Sequence, residues 1–476
     1  MSDPESTGNH PAETADRSHL SPRERQLAHD PIPSLVIRYS VPAIIGMLVN
    51  ALYNVVDRFW IGQLHNTAAL SGIGLTLPMN NITLGFMQLV GIGATAAISL
   101  KLGARRHEEA EQVLANALTL CILIGGLLSA VGLIFLDPIL QAFGASPVTK
   151  PYARDYLSVI MLGNIFNTIG FALNHTIRGA GNPRRSAATQ LLGAGLNIVL
   201  DPLFILGFGW GVRGAAWATI ISQFVSMAFV LSYFIGRRSY LHLRLENMPL
   251  QGWAIRQIMA IGVSPFSMQI ASSLVTILAN RMLRLYGGDA AIATMTIVTS
   301  VSILFTMPLF GINQGLQPIL GYNYGAGNYS RVHATWRTGV ILASGIVLVG
   351  FAVVQIFPAG IIRLFSTDPA ILEMGTFALR AFLMLLPLLG FQIISTVYFQ
   401  SIGHAKISMF ASLMRQVLFL IPLYLILPHF FGLNGIWFAS PVADGISVVV
   451  TAGLIARELR RLRDLEQTEA LPGTSD

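Results

Sequence analysis

From about Val36 to about residue 456 the chain is a succession of apolar segments, each long enough to cross a lipid bilayer. A helix needs about 20 residues to span the hydrocarbon core. Inside that core every backbone N–H and C=O must find its partner within the protein, which restricts spanning structure to helices or closed barrels. Twelve helices are predicted, at about 35–62, 69–99, 112–137, 152–178, 185–207 and 213–236, then 254–285, 290–323, 331–357, 371–402, 405–427 and 433–456. The expected fold is therefore an all-α integral membrane protein. Composition agrees: only 11% of the residues are charged and 53% are hydrophobic, against roughly 25% charged in soluble domains. Residues 1–34 are polar and lack the apolar core of a signal peptide, so they read as a disordered tail.

Lys and Arg set the expected orientation. Of 30 such residues, Lys150, Arg154, Arg213, Arg284 and Arg363 fall in one set of loops, and Arg58, Arg281, Arg380 and Arg415 fall within helices. The remaining 21 lie in the tails and the alternate loops. This places both termini in the cytoplasm. The net charge of +7 is scattered between apolar runs, an arrangement that reports topology and gives no patch for nucleic acid.

The two halves repeat at a near-constant offset. Pro42 matches Pro265 and Arg58 matches Arg281, each 223 residues on. RGAGNP from Arg178 matches QSIGHA from Gln400, and GVRGAAWA from Gly211 matches GLNGIWFA from Gly432. Six helices per half is an even number, so the halves are parallel repeats, an arrangement found in secondary transporters. The expected division is a tail at 1–34, a first lobe at 35–236, a cytoplasmic linker at 237–253, a second lobe at 254–457 and a tail at 458–476.

The repeat also isolates the chemistry. Asp57 has Asn280 as its counterpart, and Asp201 falls opposite an apolar stretch around Ile421 to Tyr424. Charge at this depth costs about 2.5–3.5 kcal/mol on insertion scales, which makes such residues functional candidates. Asn50, Asn54 and Asp57 share a helical face, as do Asn197 and Asp201, and Thr219, Ser222, Gln223 and Ser226. Asn174 adds a further amide. Such an oxygen-rich pocket suits a proton or Na⁺, and a carboxyl group in it can load and release a proton near neutral pH. Asn, Ser and Thr alone would equally serve to bond helices together; two carboxylates are harder to explain that way. Arg415 and Asp444 lie at similar depth in the second half and are expected to pair, with a substrate role for Asp444 as the alternative. Pro42 removes a helical hydrogen bond fifteen residues before Asp57 and marks a hinge. With Cys121 the lone cysteine and no ligand spacing among the histidines, neither a disulfide nor a protein-bound metal centre is expected.

NALYNVVDRFWIG at Asn50, RGAGNP at Arg178, NIVLDPLFI at Asn197, GVRGAAWAT at Gly211 and PVAD at Pro441 together resemble the multidrug and toxic compound extrusion (MATE) family, within its DinF-like branch and among MepA-like members. The resemblance runs from about Ile32 to Arg463. It implies a twelve-helix antiporter of two lobes that exports amphipathic, often cationic compounds against inward H⁺ or Na⁺. The branch's first-lobe cation site falls on Asp57, Asn197, Asp201 and Thr219, and its helix-1 proline on Pro42. Acidic residues that the NorM-like branch carries on helices 7 and 10 have no equivalent here; Asn280 stands on helix 7, and with Asn50, Asn54, Asn174 and Gln223 it is expected to line the cavity.

The expected activity is thus secondary multidrug efflux, not an enzymatic reaction. It calls for no cofactor beyond the coupling ion, and its partners are small amphipathic molecules and membrane lipid, with the transporter a monomer in a bacterial or archaeal cytoplasmic membrane. A flippase for lipid-linked precursors is the nearest alternative. An intramembrane aspartyl protease fits less well, because its GxGD signature is missing: Asp201 follows Val-Leu.

Overall fold

Apolar helices with no polar face toward water can bury their surfaces only against lipid or one another, and here they form two six-helix bundles. The computed structural model describes residues 22–63, 67–236, 239, 241–366 and 368–470. The N-lobe comprises α1 (Ile32–Gly62), α2 (Leu77–Gly103), α3 (His107–Ile134), α4 (Lys150–Gly179), α5 (Pro183–Pro202) and α6 (Gly211–Ile235). The C-lobe comprises α7 (252–287), α8 (289–325), α9 (Tyr329–Ile356), α10 (Pro369–Phe382 with Leu386–Ser401), α11 (Ala405–Phe431) and α12 (Leu433–Ala470). By length and hydropathy ten helices among the described residues can span a bilayer, or eleven with the two parts of α10, bent by 47°, taken as one. The longest helical stretch, Gly252–Gly325, breaks at Gly288, where φ is 64° and ψ is −158°. Only glycine adopts that conformation without strain. The break divides the stretch into α7 and α8 and gives the expected twelve.

Bulky apolar side chains such as Ile134, Leu285, Ile356 and Val449 remain on the outside, as a lipid-facing belt requires. Inside the N-lobe, α4 packs on α2, α3 and α6, and α1 packs on α5; inside the C-lobe, α9 packs on α10 and α10 on α12. The lobes meet through α2 against α7 and α8, and through α1 against α8. Their approach is backbone to backbone. A β-carbon on Gly103 would fall 1.9 Å from the Tyr322 carbonyl oxygen, and one on Gly262 would fall 1.8 Å from that of Leu89. The Gly103–Tyr322 contact joins the last turns of α2 and α8, at the end of the molecule that bears the described chain ends, whereas the Gly262–Leu89 contact lies at the middle of α2.

Two boundaries differ from those expected. The segment before residue 35 is not an unstructured tail throughout: Pro22–His29 is helical and α1 already begins at Ile32. Residues 1–21 lie outside the described residues. The short helix has one large apolar anchor, Leu27, fully buried. It bridges the lobes: Arg23 bonds the Tyr233 hydroxyl of α6, while the Leu27 carbonyl accepts from Asn323 at 3.1 Å and from Arg331 at 3.0 Å. Second, α12 continues to Ala470, past the expected 456, and its charged end is tied to the turn before α11: Glu458 lies 3.8 Å from His404 and 3.4 Å from Arg461 of its own helix. The inter-lobe segment is tied to α3. Glu111 accepts from the His242 amide at 2.8 Å, and Asn116 accepts from that of Gln251 at 2.7 Å.

Candidate cation site

Asn182 caps α5 by accepting from the Arg185 amide at 3.2 Å, and Pro183 occupies the first turn, where its missing N–H costs nothing. The helix so started carries Asn197 and Asp201 one turn apart on its buried face. It ends at Pro202 and passes into a π-helical turn, Leu203–Gly207, a widening common beside functional sites. Gly214 seats the start of α6 against this turn, since a β-carbon there would fall 2.6 Å from the Phe204 carbonyl oxygen. That contact sets the depth of Thr219.

Four sequence-derived residues come together here. The Asn197 amide donates to Asp201 Oδ1 at 3.1 Å and reaches Thr219 Oγ1 at 3.4 Å. Thr219 in turn donates to the Ala215 carbonyl at 3.0 Å. Asp57, on the part of α1 far from the chain ends, is near enough to Asp201 for the two carboxylates to interact, and Tyr53 stands beside both. Asp201 is fully buried, Asn197 and Thr219 are nearly so, and Asp57 is 9% exposed. Asn197 Oδ1 and Asp201 Oδ2 are buried with no hydrogen-bond partner, as is Gln223 Oε1 one turn beyond Thr219. Buried acceptors are normally satisfied. Two unmatched oxygens, Asn197 Oδ1 and Asp201 Oδ2, and a second carboxylate form a donor set for a proton, a hard cation or water.

The other expected lining residues are placed differently. Asn174 lies away from this cluster, its amide donating to the Ser186 carbonyl at 2.8 Å and its oxygen accepting from Arg178 at 2.9 Å. Asn50 and Asn280 are on exposed faces. The side chains of Asn54 and Arg58 lie outside the described residues. Pro42 lies within the continuous helix α1. In the C-lobe, Arg415 Nε donates to Asp444 Oδ1, and its Nη2 reaches Ser440 Oγ at 3.4 Å. A π-helical stretch, Met414–Leu420, carries that arginine.

Two parallel helical lobes with a buried acidic site in one of them define a polytopic membrane transporter. The chain belongs to the MatE family, whose model matches residues 42–203 and 266–426, one segment in each lobe. It is 28% identical over 427 residues to the multidrug export protein MepA of Staphylococcus haemolyticus, covering 90% of this chain and 94% of that one. It is 29% identical over 445 residues to MepA of Staphylococcus aureus, covering 93% and 97%. A solved structure described as the outward-facing conformation of a multidrug resistance MATE family transporter superposes with a TM-score of 0.87 at 25% identity, covering 94% of this chain and all of that one.

Proposed function

We propose that this protein is a multidrug efflux antiporter that expels amphipathic, cationic compounds in exchange for H⁺ or Na⁺. The observation that carries the reading is the buried Asp57–Asp201 site with its unmatched oxygens, found among the described residues in the N-lobe only. The multidrug export relatives support the substrate class. The lobes pack closely at the end bearing the chain ends, and the site stands toward the other. With both termini in the cytoplasm, as the Lys and Arg distribution directs, this is an outward-facing state of an alternating-access cycle. The likeness to a structure described as outward-facing supports that assignment. A flippase of anionic lipid precursors would call for cationic groups lining the central path; Arg415 is taken up by Asp444, and Arg178 is tied to Asn174 and Ser186 at the inner end of α4. The transporter works as a monomer in a bacterial or archaeal cytoplasmic membrane.

The test is expression in a bacterium stripped of its own efflux pumps. Cells carrying the protein should withstand several chemically unrelated cationic dyes and lose that protection when ionophores collapse the ion gradients. Protection that persists without any gradient would refute the antiport reading.

Binding at Asp57 has to reach the inner contacts of α1, and Pro42 provides the means. Its ring removes one helical donor and clashes with the preceding turn. A protonation or binding event in the outer part of α1 can therefore bias a bend in the inner part, provided it favours one state over the other. Pro42→Ala should leave equilibrium dye binding close to that of the parent, since the cavity lining is unchanged, while efflux turnover falls. Both quantities are measured on the same purified variant. Undiminished turnover would separate the bend from the cycle.

A further inference from the structure

Arg178, at the last turn of α4, is only 2% exposed, and among the described residues no carboxylate pairs with it. Its Nη1 is held by neutral groups, Asn174 Oδ1 at 2.9 Å and Ser186 Oγ at 2.6 Å. With its amide turned to suit its neighbours, Gln190 accepts from the same nitrogen at 3.1 Å and donates to the Gly46 carbonyl of α1 at 3.1 Å. The neighbouring ionisable group on α4, His175, is buried against Phe171 with Nδ1 unpartnered. On α5, Arg185 lies over the Phe229 ring. A guanidinium stays charged in proteins, so this is a buried positive charge without a counter-charge. The C-lobe treats its own partly buried arginine differently, giving Arg415 the partner Asp444.

Arg178 also stands at the end of a polar line that starts at the cation site. Along α5, Asp201, Asn197, Gly193 and Gln190 follow one another at helical spacing on one face. At Gly193 the Ser226 hydroxyl fills the place of a side chain, 2.3 Å from where a β-carbon would stand. The line connects the Asp57–Asp201 site to the inner end of the N-lobe. A cation following it would short-circuit the gradient without moving substrate.

We propose that Arg178 is the charge barrier that closes this inner route, so that a cation bound in the N-lobe leaves only through the conformational cycle. This rests on the cation-coupled reading above. Fixed positive charge excludes cations from a narrow polar path, as it does in selective pores. A unit charge about 5 Å away at the effective permittivity of a protein interior slows passage on the order of 100-fold.

The test uses full-length protein in liposomes without substrate, with passive ²²Na⁺ uptake and dye-reported proton flux measured at clamped potential. Arg178→Gln removes the charge. Gln190→Glu keeps the side-chain shape but places a carboxylate against the guanidinium, cancelling the charge in place. Both should raise the leak of the coupling cation on the order of 100-fold, whereas Arg178→Lys should stay near the parent. Adding Asp201→Asn to Gln190→Glu should lower the leak again, because the route runs through the site. Should Arg178→Gln fail to fold, Gln190→Glu decides. A folded Gln190→Glu protein as tight as the parent overturns the proposal. Absence of cation-driven efflux in the parent would instead count against the antiport reading, and the leak comparison would still read the barrier.

Discussion

Asp201→Asn should reduce gradient-driven efflux to the level of protein-free vesicles, with expression and monodispersity retained, and Asp57→Asn should do the same. The substitution is nearly isosteric, so the packing of Asp201 between α5 and α6 is preserved. What it removes is the acid that distinguishes the cation-loaded from the empty protein. Converting a two-state equilibrium from 1:99 to 99:1 takes about a 10⁴-fold difference in affinity between the states. No neutral amide at Asp201, already contacted by Asn197 at 3.1 Å, offers that preference for H⁺ or Na⁺. Efflux of a fluorescent cationic dye from energised vesicles is the measurement. Full efflux in the doubly substituted protein would remove the site from the mechanism.

The second large effect concerns stability. Arg415 and Asp444 are joined directly, with Asp444 only 3% exposed. Replacing Arg415 leaves Asp444 as a buried, uncompensated charge, at a cost of about 3–5 kcal/mol. Arg415→Met should show such a loss in unfolding titrations in detergent, and Asp444→Asn a smaller one, because the Arg415 side chain is 23% exposed. The double variant should be less destabilised than the sum of the two, because neither charge then remains. Strict additivity in the double-mutant cycle would show that the pair contributes no coupling and would return Asp444 to consideration as a substrate-binding group.

Much of the architecture can be read from the amino acids because membrane burial writes itself into composition. Segments of twenty apolar residues are visible without any knowledge of their neighbours, and so is the offset that maps Pro42 onto Pro265. The convergence of Asn197 and Asp201 is legible for a related reason, since polar groups are costly at this depth and those present must face one another; Thr219 is singled out from its helix-6 stripe by the family resemblance. What could not be read depends on tertiary contact. Pro22–His29 is charged on most faces and is held by Leu27 and by carbonyl bonds from Asn323 and Arg331, residues about 300 positions away in the chain. The charged extension of α12 follows from His404 and Arg461 around Glu458. The π-helical stretches at Leu203–Gly207 and Met414–Leu420 have no periodic signature of their own. The sequence alone puts Asn174 with the cavity, because an amide in an apolar helix looks the same wherever it points. The signal that places it elsewhere is Arg178, one turn later on the same face.

Coupling itself is tested most directly by reconstituting the purified protein into liposomes loaded with a fluorescent cationic dye and imposing a pH gradient and a Na⁺ gradient in separate experiments at matched membrane potential. Uphill dye movement should follow at least one of the two gradients, reverse when that gradient is reversed, and vanish in Asp57→Asn and Asp201→Asn. Uphill movement that ignores both gradients, or that survives loss of both carboxylates, would contradict a cation-coupled antiporter with its site at Asp57 and Asp201.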